Sequence, residues 1–200
     1  MPARTGILLL VSGPSGSGKT TLCRRLSGEN EAHYSISCTT RSPRPGEVNG
    51  RDYHFLTPDE FSRRVAAGEF LEHATVHGNS YGTLQSEVLG YLSAGTDVVM
   101  DIDVQGAAQV RSCEDPAIRA ALVDIFVMPP TEEELHNRLS GRGTDSSEVI
   151  ALRMRNALEE IAHQHEYTFH LHSGTHEEDY LRFKALLLAE RLRAARHITP

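Results

Sequence analysis

The chain has 200 residues, 39% of them hydrophobic, which suits one compact α/β domain with room for insertions and falls short of two large ones. A net charge of −7 gives no general affinity for polyanions, so phosphate binding has to come from local arginine and lysine clusters, and this argues against a nucleic-acid-binding protein. Cys23, Cys38 and Cys113 are too scattered for a disulfide framework or a zinc knuckle, and the N-terminal apolar run is too short for a signal-peptide core or a membrane span; a soluble cytoplasmic protein is the expectation.

In chain order, the first element is a strand-like run, Ile7 to Val11. Gly13-Pro14-Ser15-Gly16-Ser17-Gly18-Lys19-Thr20 follows it and satisfies G-x-x-x-x-G-K-[ST] completely. Its glycines let the backbone turn so that successive N–H groups and a helix N-terminus point at one anion. Lys19 can reach the terminal phosphates, and the Thr20 hydroxyl is the expected Mg²⁺ ligand. Leu22 and Leu26 suggest a helix beginning near Lys19. The stretch predicts a nucleoside-triphosphate site.

Tyr34 to Ser37 reads as a short strand, Thr39 to Asp52 as a Pro/Gly-rich loop, and Tyr53 to Phe55 as extended. Thr57-Pro58-Asp59-Glu60 is a helix start, with Thr as N-cap, Pro at the first helical position and Glu completing a capping box. That helix should stop at Gly68. Phe70 to His77 is strand-like, Gly78-Asn79 a turn, and Leu84 to Ala94 helical. Asp97 to Asp101 has a buried-strand pattern. Ala121 to Met128 is another strand, closed by Pro129-Pro130. Thr131 to Glu134 repeats the capping-box signal for a helix through Leu139, broken at Gly141-Arg142-Gly143. A long helix follows from Ser147 to Ala162, then a last strand from Phe169 to His172. Leu181, Ala185, Leu188 and Leu192 give the final helix one apolar face. Alternating strands and helices imply a mostly parallel sheet covered on both sides.

Two further constellations carry charge. Arg41 and Arg44, in a loop with Tyr53 close by, either converge on one phosphate or form a solvated basic loop. Asp101 ends an apolar strand, where ligands of open α/β sheets gather. Asp103 shares its face only if the strand continues that far; otherwise it caps the turn into Gly106.

Five stretches in order resemble guanylate kinase motifs: Ser37 to Tyr53, Phe70 to His73, Gly78 to Thr83, Asp101 to Gly106, and Arg138 to Thr144. With the phosphate loop they cover roughly residues 6 to 160. Ala189 to Arg193 also resembles bacterial members. The resemblance implies an α/β P-loop NTPase core (1–36, 92–135 and 154–200), a GMP-binding insertion (37–91) and a small helical lid (136–153). It implies transfer of the γ-phosphoryl group of ATP to GMP, and also dGMP, with Mg²⁺, recycling guanine nucleotides. ATP and GMP would be its small-molecule partners, with no membrane or nucleic acid, and monomer or homo-oligomer undecided. A non-catalytic interaction module of the same fold would tend to lack the intact phosphate loop, and a kinase for another phosphorylated small molecule would lack the guanine-reading residues.

The resemblance assigns the GMP phosphate to Arg41, Arg44, Tyr53 and Tyr81, and guanine to Ser37, Glu72 and Thr83, with Asp101 close to acceptor and metal. Guanine offers N1–H and the N2 amine side by side, a double donor that suits an ionised Glu72. The hydroxyls of Ser37 and Thr83 can donate towards O6. Arg142 between two glycines, with Arg153 as companion, fits delivery of positive charge to the transferred group, while Arg138 is read as an adenine or phosphate contact. Where the family usually closes its last strand with Asn-Asp-Asp, this chain has Ser173 and Gly174 at the first two positions. A serine hydroxyl cannot offer donor and acceptor together to an adenine edge, so weaker discrimination among donor triphosphates is expected. The histidines from His163 to His176 are expected to be partly exposed and without a ligand role, although His170 and His172 would share a strand face.

Overall fold

A computed structural model describes residues 4–76, 78–140 and 147–197. The first apolar run becomes β1 (Leu8–Ser12), buried at every position. It lies between β7 (Val98–Asp101) and β8 (Leu122–Met128), with β2 (His33–Tyr34) outside β7 and β9 (Phe169–His172) outside β8. Every pairing in this five-stranded sheet, β2-β7-β1-β8-β9, is parallel. A sheet covered on both faces needs continuous apolar strands at its centre, which is why β1 and β7 do not alternate, while the edge strand β9, Phe169-His170-Leu171-His172, does.

Leu9 and Val11 pack with Leu22 and Leu26 of α1 (Lys19–Gly28) and with Tyr180, Phe183 and Leu187 of α8 (His176–Arg191). Leu8, Leu10 and Met100 pack on the other face against α3 (Ser86–Ser93), α4 (Val104–Arg111) and α5 (Pro116–Ala121). Just before β7, the buried Asp97 carboxylate takes both Arg4 nitrogens, at 2.6 and 2.8 Å, and Arg191 at 2.7 Å. These pairs tie the N-terminal segment and α8 to β7.

A second sheet, β4-β3-β6-β5, is built from β3 (Cys38–Thr39), β4 (His54–Phe55), β5 (Phe70–Val76) and β6 (Asn79–Leu84). Helix α2 (Pro58–Ala66) lays Phe61 on Phe70 and Cys38. Helices α6 (Glu132–Ser140) and α7 (Ser147–Ala162) bury Leu135, Leu139 and Ala157 against one another. Among the described residues no helix is long and apolar enough to cross a membrane.

Several sequence expectations need correction. Tyr34 to Ser37 is not one strand: the chain leaves the parallel sheet at Tyr34 and joins the second sheet at Cys38. Strand β6 takes in Asn79 from the expected turn, Ser80 to Thr83, which the sequence assigns to no element, and Leu84, expected to open a helix that instead begins at Ser86; Asn79-Ser80-Tyr81-Gly82-Thr83 carries little apolar signal. Helices α4 and α5 were not anticipated, although Asp103 and Asp115-Pro116 cap them. Both capping boxes form only half. Thr57 and Thr131 accept from the N–H groups of Glu60 and Glu134, but the two carboxylates turn to arginines on their own helices, Arg64 at 2.8 Å and Arg138 at 3.0 Å. On α8 the core side is Tyr180, Phe183 and Leu187, while Leu181, Leu188 and Leu192 are exposed. Both stripes have helical spacing; the aromatic one buries more area and faces inward. The His77 end of the strand expected from Phe70 and the break at Gly141-Arg142-Gly143 lie outside the described residues.

Candidate active site

The phosphate loop begins where β1 ends. Gly13 has φ 139°, and a Cβ there would stand 2.3 Å from the Val127 carbonyl oxygen, so only glycine fits. Ser17 N–H closes onto the Pro14 carbonyl at 3.1 Å, and the chain turns through Gly18 into α1. The loop lines a cleft of about 710 Å³ together with Lys19, Thr20, Asp101, Asp103, Arg138 and Glu160. Lys19 Nζ is folded onto the loop's own carbonyls, 2.5 Å from Gly13 O and 3.1 Å from Pro14 O. Thr20 Oγ1 donates to Asp101 Oδ2 at 2.5 Å, bringing the start of α1 to the end of β7.

Two of the three expected arginines touch this loop. Arg153, on α7, donates to Ser15 Oγ at 3.2 Å. Arg138, on α6, reaches Gly16 O at 3.4 Å and Ser173 Oγ at 3.3 Å, with its Nε on Glu134. Arg142 lies outside the described residues. Ser173 is buried and donates to Asp179 Oδ2 at 3.0 Å, while Gly174 N–H donates to the other oxygen at 2.7 Å. The hydroxyl at the departed position is therefore engaged on both sides within the protein.

A second cleft of about 200 Å³ is lined by Ser37, Tyr53, Glu72, Tyr81, Asp101 and Asp103. The hydroxyl oxygen of Ser37, at its wall, stands 3.1 Å from that of Thr83, which is fully buried behind it. Glu72 owes its direction to an irregularity in β5. Phe70 pairs with Leu84 but Glu72 pairs with Thr83, so Leu71 is an extra residue. Such a bulge re-aims the strand. Here Leu71 turns into the main apolar core and Glu72 into the cleft, and both are buried. Burial pushes the Glu72 carboxyl up to about 7, against the opposing pull of its hydrogen bonds to Thr83.

The Tyr53 and Tyr81 rings meet edge to face at 6.1 Å, and the Arg41 guanidinium lies 5.5 Å from the Tyr53 ring centre. Arg41 is engaged by both oxygens of Glu47, at 2.9 and 3.0 Å. That bond, with a second from Arg44 N–H, holds the Glu47 carboxyl below the usual range. Arg44 itself stands exposed on the loop. Arg41, Tyr53 and Tyr81 are thus gathered and Arg44 is not. Asp101 and Asp103 line both clefts, which meet at the end of β7. The strand stops at Asp101, and Asp103 caps α4 by accepting from Gly106 N–H at 2.8 Å, which decides between its two readings.

Sequence reasoning missed Glu160 and Glu47. Glu160 lines the larger cleft from α7, and burial raises its carboxyl to about 6 against the pull of Lys19. In sequence it is one of two adjacent glutamates on a helix, with nothing to set it apart from a solvated face. Glu47 sits between Gly46 and Val48 in a loop, and only its ion pair to Arg41 marks it. His170 and His172 both lie on the exposed side of β9, with His170 Nε2 2.8 Å from Gln164 O. Among the described residues no group of three or more histidine, cysteine or carboxylate side chains is placed to hold a metal ion.

Residues 5–190 match the protein-family model described as guanylate kinase. A guanylate kinase of Cereibacter sphaeroides is 47% identical over 195 residues, 97% of this chain and 91% of its own length. One of Sphingopyxis alaskensis is 47% identical over 98% of this chain and 87% of its own. The crystal structure of guanylate kinase from Anaplasma phagocytophilum superposes with a TM-score of 0.79 at 31% identity, covering 98% of this chain and 92% of that one.

Proposed function

The chain belongs to the guanylate kinase family and is an ATP:GMP phosphotransferase giving ADP and GDP, and we propose that its two clefts divide the substrates between them. The larger cleft takes ATP with Mg²⁺, and the smaller one takes GMP. The observation that carries this reading is their junction. Asp101 borders both, with Lys19 and Thr20 on one side and Glu72 with the Arg41 cluster on the other.

On this reading Gly13, Pro14, Ser15, Gly16, Ser17 and Gly18 cradle the donor phosphates through backbone N–H groups. Lys19 exchanges the Gly13 and Pro14 carbonyls for phosphate oxygens. The Thr20 hydroxyl and the Asp101 carboxylate are hard oxygen donors and fit a Mg²⁺ ion, with Thr20 as its ligand. When bound, the ion supplies charge neutralisation on the phosphate oxygens. Arg41, Arg44, Tyr53 and Tyr81 hold the GMP phosphate, and Ser37, Glu72 and Thr83 the base. Arg41 then leaves Glu47 for the phosphate, a trade between two anions that keeps the guanidinium solvated by charge at all times. Asp101 lies beside the acceptor oxygen, and Arg153, already at the loop through Ser15, serves the transferred group, with Arg142 as the companion that the resemblance implies. Arg138, anchored by Glu134 and Ser173, supports the donor. Positioning and electrostatics carry the rate, with no covalent intermediate.

The corresponding partition is a core of 1–36, 92–135 and 154–200, a GMP-binding part at 37–91 and a lid at 136–153. One assay tests the reading: ADP release from ATP and Mg²⁺ with GMP, dGMP, AMP, CMP and UMP as acceptors, repeated with GTP as donor. GMP should lead, with dGMP active. GTP should retain measurable donor activity, because the Ser173 hydroxyl is committed to Asp179 and Arg138. Activity with none of the acceptors would remove the assignment of the clefts.

A pH dependence follows from Glu72. Two guanine donors require an ionised carboxylate, and burial raises this carboxyl to about 7. The ionised fraction falls as pH drops, so kcat/KM for GMP should decline below about pH 7, approaching tenfold per unit, because this ratio reports the free enzyme. The GMP phosphate itself titrates near ~6. Dividing the wild-type profile by that of Glu72→Gln cancels that contribution. A flat quotient from pH 5.5 to 8 would show that Glu72 does not titrate there.

A further inference from the structure

Helix α4 approaches β5 without leaving room for a side chain at one point. A Cβ on Gly106 would stand 2.8 Å from Glu72 Oε2, 3.3 Å from Glu72 Cδ and 3.3 Å from Ile102 Cδ1. The backbone at Gly106 lies in an ordinary helix, so conformation does not demand glycine there. Glycine in a helix interior is unfavourable relative to alanine. What the missing side chain provides is space for a carboxylate.

The same helix grips the neighbouring residue of the strand. The Gln109 side-chain amide accepts from His73 N–H at 3.0 Å and donates to His73 O at 2.8 Å, pairing with the backbone as a further strand would. Asp103, the N-cap of α4, accepts from Gly106 N–H and faces the same cleft. Strand β6 closes the other side: a Cβ on Gly82 would meet the Glu72 carbonyl oxygen at 2.6 Å. Glu72 is held between two close backbone approaches, with its strand pinned one residue further on.

We infer that Gly106 and Gln109 of α4 are positioning residues for acceptor-base selection: Gly106 leaves the slot in which the Glu72 carboxylate stands, and Gln109 fixes the strand that carries it. This rests on the reading of Glu72 as the group that binds guanine. A methyl group at 106 would meet the far end of a flexible side chain, so the fold survives and the carboxylate moves. Two hydrogen bonds to one base edge tolerate little displacement; small misplacements of positioned groups are costly in rate.

Gly106→Ala should therefore raise KM for GMP by ~10-fold or more and lower the GMP/AMP preference, with KM for ATP unchanged and thermal stability equal or higher, since alanine is the better helix former. The decisive measurement is a double-mutant cycle with Glu72→Asp. Aspartate is one methylene shorter and withdraws the carboxylate from the contact, so Gly106→Ala should cost under about twofold in the Glu72→Asp background. Gln109→Ala should show the same KM-selective loss through release of His73.

The outcomes separate the two levels of the argument. If Glu72→Gln changes the GMP/AMP ratio while Gly106→Ala leaves GMP kinetics untouched, the positioning inference is wrong and the base reading stands. If Glu72→Gln leaves the ratio unchanged, the base reading fails and takes this inference with it. Equal losses from Gly106→Ala in the two backgrounds, or a variant that does not fold, would overturn it as well, because the contact would not be relieved by movement of the carboxylate.

Discussion

Lys19→Met should lower kcat by ~10²–10³, about 2.7–4 kcal/mol of transition-state stabilisation, while GMP affinity stays within about twofold. Methionine keeps the unbranched apolar stem of lysine and removes the charge with its two bonds to loop carbonyls, so the packing of the stem is retained. The ammonium sits in the larger cleft, against Gly13 O and Pro14 O, and does not line the smaller one. Negative charge spreads over the transferred phosphoryl oxygens in the transition state, and a fixed cation acts there more strongly than in the ground state. The loss should therefore fall mainly on kcat. Calorimetric titration with GMP, alongside steady-state rates, separates the effects. A large loss of GMP affinity would mean that the two clefts are not independent, or that the two carbonyls need Lys19 to hold the loop in shape.

The phosphate loop was legible because its function lies in consecutive residues. A strand, three glycines, Lys19 and Thr20 fix the backbone geometry locally, and the structure adds only that Thr20 meets Asp101 across the strand ends. The parallel sheet was legible for a similar reason: strands buried on both faces must be apolar throughout. The smaller cleft is different. Residue types suggested an anion site at Arg41, but its resting partner Glu47 and the exposed position of Arg44 depend on how one loop folds. The direction of Glu72 depends on an extra residue in β5 and on a glycine in a helix of the other sheet, and neither leaves a local signature. On α8 two apolar stripes compete at the same spacing. Periodicity alone cannot choose between leucines and the Tyr180–Phe183–Leu187 face, since the choice is made by what the sheet presents. Ser173 was legible as a departure, but its bonds to Asp179 and Arg138 were not.

Glu72→Gln should lower kcat/KM for GMP by at least ~10² and leave the affinity for ATP unchanged, since sites built to hydrogen-bond a substrate reject mismatches by up to ~10⁴ or more. The exchange preserves shape, so the space beside Gly106 is filled as before. It replaces one acceptor oxygen with an amide that donates, and that amide then faces a guanine donor. Glu72 is 6% exposed, so water cannot make up the missing bond, and the unpaired groups carry their full desolvation cost. The wild-type carboxyl, raised to about 7 by burial, already gives up part of its charge when the cleft is empty. Guanine restores the charge by offering two donors, so part of its binding energy goes into ionising Glu72. The amide has no proton to lose, and its loss of GMP activity should consequently be largest at high pH and smallest near pH 5.5. Adenine carries a lone pair at N1, to which the amide can donate, so AMP should gain relative to GMP. Kinetics with both nucleotides, on both proteins and at both ends of the pH range, measure this directly. An unaltered GMP/AMP ratio would show that Glu72 is a buried structural carboxyl, and base recognition would then have to come from the hydroxyls of Ser37 and Thr83 and the carboxylate of Asp103, the other polar groups that the cleft brings near the base.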